Sequence, residues 1–469
     1  MGDVAMTVPV VKSLAQQYPD LRITVLSKPF ARTLFDGLAP NVSFMGADIK
    51  GEYHGIKGLN ALYRRLTAKN FTAIADLHSI LRSSYLRMRF NFDRYRVAHI
   101  DKHRAMRRAL TATNNKQLVQ LPTPFEGYAD VLAQLGYPVN INFTSIFPPE
   151  GGDLKLIAPF INGKSKGEEE KKLSEREKAI REETACEGAE SEGAEGKREE
   201  AKVLSEGAEG KREKEKVLSE EKEGKGEEAK VLSEEKEGKR EEEKVLSEGA
   251  EGKREEAKIL SEEKEGKREE AKVLSEGAEG KREEEKVLSE KEEEEVKAES
   301  LKPQGEKWIG IAPFAAHKGK IYPLEKMERV IELLLEREPN CRIFLFGGGA
   351  EERELLTQWE SRHDRCTCAL LGSLYNELVL MSHLDTMVSM DSANMHLASL
   401  TGTRVVSVWG ATHPFAGFMG WNQSPADAVQ TTLPCRPCSI FGNKPCLHGD
   451  YPCLNSITPE EIVERVLKR

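Results

Sequence analysis

The stretch that decides the fold is Met387-Val-Ser-Met-Asp-Ser-Ala-Asn-Met-His-Leu-Ala-Ser-Leu400. Its apolar beginning predicts a buried strand that ends at Asp391, and its second half predicts a helix. A strand that turns directly into a helix points backbone N–H groups into the crevice of an open α/β sheet, where phosphate-bearing ligands bind. Asp391, Ser392 and His396 stand at this turn. The alternative is an ordinary turn in which Asp391 and Ser392 only cap the helix.

The chain has 469 residues, which is long enough for two or three domains. Strand and helix patterns alternate through residues 1–160 and again through 306–469, which predicts parallel sheets with right-handed crossovers. Residues 161–305 differ, because Glu, Lys and Arg dominate and a Val-Leu or Ile-Leu pair recurs with a period of 14. One apolar pair per unit is too few for a coiled-coil seam, so we predict a disordered or transiently helical charged insert.

The formal net charge of −9 combines this acidic insert with a mildly basic body. Between Lys57 and Lys116, 14 Lys and Arg stand against three Asp, which predicts a surface for an anionic partner. Aromatic residues are not interleaved there, which favours a small or lipid-linked anion over nucleic acid. The sequence has no run of about 18 apolar residues and no basic-then-apolar leader, so we expect a cytoplasmic protein without a membrane span.

Three loops in residues 306–469 follow the carboxyl ends of predicted strands and therefore converge on one crevice. The first carries Lys320, whose amine meets a phosphate as a point charge. The second follows three glycines and presents Glu351 and Glu352, either of which can bind ribose hydroxyls. The third is the turn at Asp391. Each loop alone is also explained as an ordinary solvated turn, but together they predict a nucleotide diphosphate site without a metal cluster.

Three segments carry a family resemblance: Gly2-Asp-Val-Ala-Met-Thr-Val-Pro-Val-Val-Lys-Ser-Leu14, Ala312-Pro-Phe-Ala-Ala-His-Lys-Gly-Lys-Ile-Tyr-Pro323 and Asp391-Ser-Ala-Asn-Met-His-Leu-Ala398. They resemble the heptosyltransferases of glycosyltransferase family 9. The resemblance implies a GT-B fold, in which an acceptor-binding Rossmann-like domain and a nucleotide-sugar-binding one face each other across a cleft. It also implies inverting transfer of heptose from ADP-heptose to a lipopolysaccharide core. The alternatives are a transferase for another nucleotide-linked hexose and a truncated, non-catalytic interaction protein.

The resemblance further implies roles for individual residues. Asp3 would be the general base that deprotonates the acceptor hydroxyl. The donor site would consist of Lys320 at the phosphates, Glu351 or Glu352 at the ribose, Gly372 beside the adenine, Asp391 at the sugar, and Ser392, Ala393 and His396 around the diphosphate. The basic face, with Arg82 and Arg104, would receive the anionic core at the inner face of the cytoplasmic membrane. Backbone amides and a lysine can stabilise the leaving diphosphate, so the chemistry requires no cofactor.

The sequence departs from the family pattern in three places. The family has an apolar strand before the Gly-Asp pair and this sequence has none, so either the true start lies upstream or the enzyme is impaired by truncation. Ala393 stands where the family usually has glycine, which is tolerated if the backbone φ angle there is negative. The repeat stands where the family has a short interdomain linker, and such insertions cost little stability.

Four cysteines near the end of the chain follow the pattern Cys435-x2-Cys438-x7-Cys446-x6-Cys453. This spacing is compatible with a structural zinc site, because a Cys-x2-Cys pair and two further thiols can form a tetrahedron. The alternative is a set of reduced thiols in a loop, since the second pair is not Cys-x2-Cys.

Overall fold

Residues 1–161 and 301–468 are described by the computed structural model of the chain, and the Glu/Lys repeat lies outside the described residues. We call residues 1–161 the N-lobe and residues 301–468 the C-lobe. Both lobes belong to one compact unit. The insert predicted at residues 161–305 separates the two lobes, and the lobes carry the α/β pattern.

The N-lobe contains two separate two-stranded parallel sheets, rather than one sheet: the first strand pairs with the second and the third with the fourth. The strands are β1 Ile23–Ser27, β2 Val42–Gly46, β3 Ala73–Asp76 and β4 Arg96–His99. The sequence patterns predict these strands at residues 21–26, 42–45, 71–76 and 95–100, so each bound lies within two residues of the structure.

The N-lobe helices differ more from the prediction. They are α1 Gly2–Ala5, α2 Val8–Gln17, α3 Gly55–Thr67, α4 Leu81–Phe92, α5 Arg104–Leu110, α6 Pro124–Gln134 and α7 Ala158–Ile161. The sequence pattern of residues 4–16 predicts a single helix. In the structure the helix is interrupted at Thr7, whose hydroxyl donates to the Val4 carbonyl at 2.7 Å. Pro9 then lies in the first turn of α2, where the missing N–H group has no helical partner to lose.

The C-lobe contains one six-stranded parallel sheet with the order β10-β9-β8-β5-β6-β7. Its strands are β5 Lys307–Ala312, β6 Cys341–Leu345, β7 Cys366–Cys368, β8 Thr386–Met390, β9 Val405–Trp409 and β10 Ala428–Gln430. Because β5 and β8 are neighbours while their successors lie on opposite sides, the strand order reverses between them. In open α/β sheets such a reversal opens the crevice in which ligands bind.

The C-lobe helices are α8 Leu324–Arg337, α9 Ala350–Arg362, α10 Leu374–Ser382, α11 Ala393–Leu400, α12 Pro452–Asn455 and α13 Pro459–Leu467. The predicted capping box at the start of α13 is present. The Thr458 N–H donates to the Glu461 carboxylate at 2.7 Å, and the Glu461 N–H donates to the Thr458 hydroxyl at 3.3 Å.

The apolar core is continuous between the lobes. Ala5 and Val8 of the N-lobe are buried in the same cluster as Met395 and Leu397 of α11. The first helix of the chain therefore packs directly on the helix that follows Asp391. Within the described residues, no helix is both long and apolar enough to cross a membrane.

Candidate active site

A buried ion pair lies where the C-lobe sheet reverses its strand order. Lys320, in a short 3-10 helix after β5, places its Nζ atom 3.0 Å from the Oδ2 atom of Asp391, which directly follows β8. The side chains of Lys320 and Asp391 are only 16% and 6% exposed. The two predicted residues therefore meet at the crevice where the fold places ligands.

A third residue holds the same carboxylate oxygen. The Thr412 hydroxyl donates to Asp391 Oδ2 at 2.8 Å, and both side chains are buried. Lys320 and Thr412 thus converge on Oδ2, which fixes the carboxylate and leaves its Oδ1 atom for another donor. Sequence reasoning missed Thr412, although it lies in the loop after β9, beside β8 at the same edge of the sheet.

The loop that carries Thr412 is itself anchored by the buried side chain of Arg436. Its guanidinium donates to the backbone carbonyls of Gly410 at 2.5 Å, Thr412 at 2.9 Å and Trp409 at 3.1 Å. Burial lowers the pKa of Arg436 from its ordinary value. Arg436 remains charged under ordinary conditions, because an arginine pKa starts far above neutrality.

The start of α11 offers backbone N–H groups to the same crevice. Ser392 is its N-cap residue and makes no side-chain capping bond, and the first N–H groups of a helix have no partner within it. Ala393 has a negative φ angle, so its methyl group is compatible with the backbone there. The condition set for this departure from the family pattern is therefore met.

His396 lies one turn into α11 and joins the two lobes. The ring is buried, its Nδ1 atom has no hydrogen-bond partner, and burial lowers its pKa to about 4. The negative charges of Asp391 and Asp3 act against this shift, while Lys320 adds to it. The Asp3 and Asp391 carboxylates thus both lie within electrostatic reach of one neutral imidazole.

Asp3 lies in α1, at the mouth of this region. A Cβ atom on its neighbour Gly2 would come within 3.0 Å of His396 Cδ2, so the two helices approach closely at a residue without a side chain. The carboxylate of Asp3 is 64% exposed and lies 3.7 Å from His78 Nε2. The Tyr128 hydroxyl donates to the Asp3 carbonyl at 3.4 Å and helps to fix α1.

Basic side chains surround Asp3. Lys102 and Arg107 both interact electrostatically with its carboxylate, and burial lowers the pKa of each. Arg104 lies close enough to affect Lys102, and Arg82 close enough to affect His78. The predicted acceptor residues Arg82 and Arg104 thus interact with His78 and Lys102, the residues that interact with Asp3. His78, Lys102 and Arg107 were inside the predicted basic segment but were not singled out.

The two carboxylates predicted for the ribose have different surroundings. Glu352 accepts hydrogen bonds from the N–H groups of Gly348 at 2.8 Å and Gly349 at 3.2 Å, and so caps its own helix. Glu351 is exposed at the first turn of α9. Of the two alternatives, Glu351 is the carboxylate that the local hydrogen bonding leaves for a ligand. Gly372 adopts a φ angle of +71° in the loop before α10, a conformation that favours glycine.

The four cysteines predicted to bind zinc are free thiols in this structure. Among the described residues, no three His, Cys, Asp or Glu side chains come together as a group that could hold a metal ion. Burial raises the pKa of Cys453 to about 11 and also raises that of Cys438. Arg436 stands among these residues as a cation. Zinc binding by Cys435, Cys438, Cys446 and Cys453 stays a prediction.

A cavity of about 260 Å³ lies elsewhere in the C-lobe, near the amino end of β9. Its lining includes Arg404 and Asp427, which form a bidentate ion pair with distances of 3.1 and 2.6 Å. Because Asp391 lies at the carboxyl end of the neighbouring strand, this cavity is not part of the candidate site.

Residues 270–444 match the family model described as glycosyltransferase family 9 (heptosyltransferase). Two proteins of Campylobacter jejuni, both named lipooligosaccharide heptosyltransferase 2, are also similar. One is 23% identical over 173 residues, covering 35% of this chain and 52% of that protein. The other is 24% identical over 170 residues, covering 34% and 50%. Residues 270–444 are therefore similar to glycosyltransferase family 9.

A solved family 9 glycosyl transferase from Veillonella parvula has a similar fold. It is 14% identical, with a TM-score of 0.52, and the match covers 100% of this chain and 95% of that one. The C. jejuni matches are shorter, and the chain spans about half the length of these curated relatives. Lys320, Asp391 and the start of α11 all lie inside the range that matches the family model.

Proposed function

We propose that this chain is a member of glycosyltransferase family 9 and an inverting glycosyltransferase of the GT-B type. It moves heptose from ADP-heptose to the core sugars of a lipopolysaccharide or lipooligosaccharide. The observation that carries the proposal is that Asp3 and the Lys320–Asp391 ion pair all interact electrostatically with the buried ring of His396. The named activity of the C. jejuni relatives supports the sugar and the acceptor class.

On the donor side, the proposal assigns the leaving group to the C-lobe. Lys320 and the N–H groups at the start of α11 stabilise the negative charge that develops on the diphosphate. Asp391 binds hydroxyls of the donor sugar through Oδ1, while Lys320 and Thr412 hold Oδ2. Glu351 binds the ribose and Gly372 lies beside the adenine.

On the acceptor side, the N-lobe supplies the base. The Asp3 carboxylate takes the proton of the attacking acceptor hydroxyl. At the same time the hydroxyl oxygen bonds to the anomeric carbon of the donor sugar and the bond from that carbon to the diphosphate breaks. One displacement of this kind inverts the configuration at that carbon. Lys102, Arg107, Arg82 and Arg104 hold the anionic groups of the acceptor near Asp3. His396 stays neutral between the two carboxylates because it is buried.

The proposed chemistry assigns no step to a metal ion, since Lys320 and the helix amides provide the positive charge. Transfer should therefore persist in excess EDTA, and a loss of activity that Mg²⁺ restores would contradict this assignment.

The experiment that tests the proposal measures transfer by the full chain with ADP-heptose and a core acceptor. Asp3→Asn should abolish transfer while retaining donor binding, and Lys320→Met should weaken donor binding. Exposed Arg337→Met, in the last turn of α8, is the matched control for loss of a cation. A panel of other nucleotide sugars, read by thermal shift, tests the donor. Preferential binding of another nucleotide sugar would contradict ADP-heptose as the donor. Full activity of Asp3→Asn would refute Asp3 as the base.

A further inference from the structure

An apolar stripe lies uncovered on the outer face of α4. Leu81, Met88 and Phe92 are spaced by seven and four residues, which places them on one side of the helix. Their exposed fractions are 89%, 58% and 84%. Three large apolar side chains on one short helix are not explained by isolated surface hydrophobicity.

The stripe has no part in holding the fold. The opposite side of α4 packs against the N-lobe through Phe90, which is buried. The Phe90 ring centroid lies 4.9 Å from that of Tyr63 and 5.2 Å from that of Tyr95. The helix is therefore apolar on two sides, one packed inside the N-lobe and one facing outward.

Helix α3 extends the same surface. Asn60 accepts hydrogen bonds from Tyr85 and Arg89 of α4, both at 2.8 Å, and so fixes the two helices side by side. Ile56 lies one turn before Asn60 on the same side of α3 and is 68% exposed. It adds a fourth uncovered apolar side chain next to the stripe.

The charge of this surface has one sign. Helices α3 and α4 together carry six Lys and Arg and no Asp or Glu. Arg65 and Arg87 are engaged with Glu52 and Asp76. Arg89 donates to Asn60 and lies 4.7 Å from the centre of the Tyr63 ring. The three remaining cations of these helices are Lys57, Arg64 and Arg82. Exposed apolar side chains on two helices that carry only positive charges complement a surface with negative headgroups above an apolar layer.

The position of the surface relates it to the candidate site. Leu81 begins α4 only three residues after His78, whose ring lies 3.7 Å from the Asp3 carboxylate. A bilayer against α3 and α4 would bring lipid-linked molecules to the mouth beside Asp3.

We infer that the face formed by Ile56, Leu81, Met88 and Phe92 with its flanking Lys and Arg docks on the surface of an anionic lipid bilayer. The apolar side chains enter the headgroup boundary and the cations contact the headgroups. Docking itself does not depend on the proposed transfer reaction. Delivery of a lipid-linked acceptor to Asp3 is the consequence that rests on the proposed function.

The test is sedimentation of the full chain with vesicles of phosphatidylcholine containing phosphatidylglycerol, without donor or acceptor. Binding should require the anionic lipid and weaken as salt is raised. The double variant Leu81→Ser/Phe92→Ser should bind at least about tenfold more weakly, because two large apolar groups no longer enter the boundary. The control is Leu447→Ser, which removes an equally uncovered leucine, 80% exposed, from the C-lobe.

Charge reversal gives a second readout. Lys57→Glu should weaken binding by at least about fivefold, since each cation near an anionic surface contributes about that factor, whereas Arg337→Glu should leave it unchanged. Vesicle binding that survives both the Leu81→Ser/Phe92→Ser and Lys57→Glu changes would overturn the inference. A second result would also overturn the inference: the chain is a dimer in solution, the Leu81→Ser/Phe92→Ser variant is a monomer, and neither binds vesicles. A second copy of the chain would then cover this face.

The consequence for transfer is separable from docking. The Leu81→Ser/Phe92→Ser variant should retain transfer to a lipid-free core acceptor and lose transfer to the same acceptor in vesicles. Equal losses on both acceptors would refute the delivery role. An inactive wild-type chain that still binds anionic vesicles would refute the proposed function and leave the docking surface intact.

Discussion

Replacing Thr412 by valine tests how the donor carboxylate is held. Valine keeps the shape of threonine and removes only the hydroxyl that donates to Asp391 Oδ2 at 2.8 Å. A hydrogen bond to a buried charged group contributes about 1.5–3 kcal/mol. Lys320 still contacts the same oxygen at 3.0 Å, so the carboxylate stays paired but is free to rotate. We expect kcat/KM for the donor to fall by roughly 10- to 100-fold, which is the same free energy expressed as a rate.

The assay is steady-state transfer with the donor varied at saturating acceptor, accompanied by urea denaturation. Thr412→Ser should restore most of the activity, because it restores the hydroxyl, and the KM for the acceptor should not change in either variant. A purely structural role for Thr412 would lower stability without a donor-specific kinetic effect. Unchanged donor kinetics in Thr412→Val, with Lys320→Met strongly impaired, would refute the view that Thr412 positions Asp391.

Three further predictions follow from the surroundings of individual residues. Burial lowers the pKa of His396 from 6.5 to about 4, so on acidification the unfolded chain takes up a proton at His396 before the folded chain does. The contribution of His396 to the free energy of unfolding is therefore fully present above about pH 6.5. It falls by up to about 3 kcal/mol as the pH drops towards 4. His396→Gln should flatten this slope in urea titrations between pH 7 and 4, apart from the share of His413, whose pKa is lowered in the same way. Glu351→Ala should raise the KM for the donor with little change in stability, whereas Glu352→Ala should lower the melting temperature, because the acceptor of the Gly348 and Gly349 N–H groups is lost. The reverse pattern would exchange the roles of the two residues. Gly410→Ala should destabilise the fold by about 1–3 kcal/mol in chemical denaturation, because its Cβ atom would come within 2.5 Å of the Gly319 carbonyl; Gly348→Ala, with open space around it, is the control.

The donor side of the site was predictable because its residues are tied to strand ends. Apolar runs locate β5 and β8. Because the two strands pair in parallel, the loops that follow them lie at the same edge of the sheet, and these loops carry Lys320 and Asp391. The sequence alone therefore predicts that Lys320 and Asp391 lie close together. Thr412 follows the same rule after β9, and it was missed only because a threonine in a loop has no chemical signal of its own.

The N-lobe was less predictable, for two physical reasons. Helices α4 and α5 carry apolar residues on more than one side, so the period of a helix packed on one face is hidden. The division into two small sheets depends on which strands find a partner, and strand patterns do not specify partners. The basic side chains around Asp3 were predicted as a segment, but their gathering depends on how that segment folds over α1.

The cysteine-rich loop has a structural role that its spacing pattern does not reveal. Four thiols in 19 residues predicted a metal, yet the central group of this loop is the Arg436 guanidinium, which binds the carbonyls that position Thr412. The N-lobe reaches the same loop, because Lys116 donates to the Cys435 and Pro437 carbonyls at 2.6 and 3.0 Å. The loop thus joins the basic lobe to the carboxylate of the donor site through backbone carbonyls. The residue to expect at such a junction is a buried arginine, because its planar fork can satisfy several carbonyls at once.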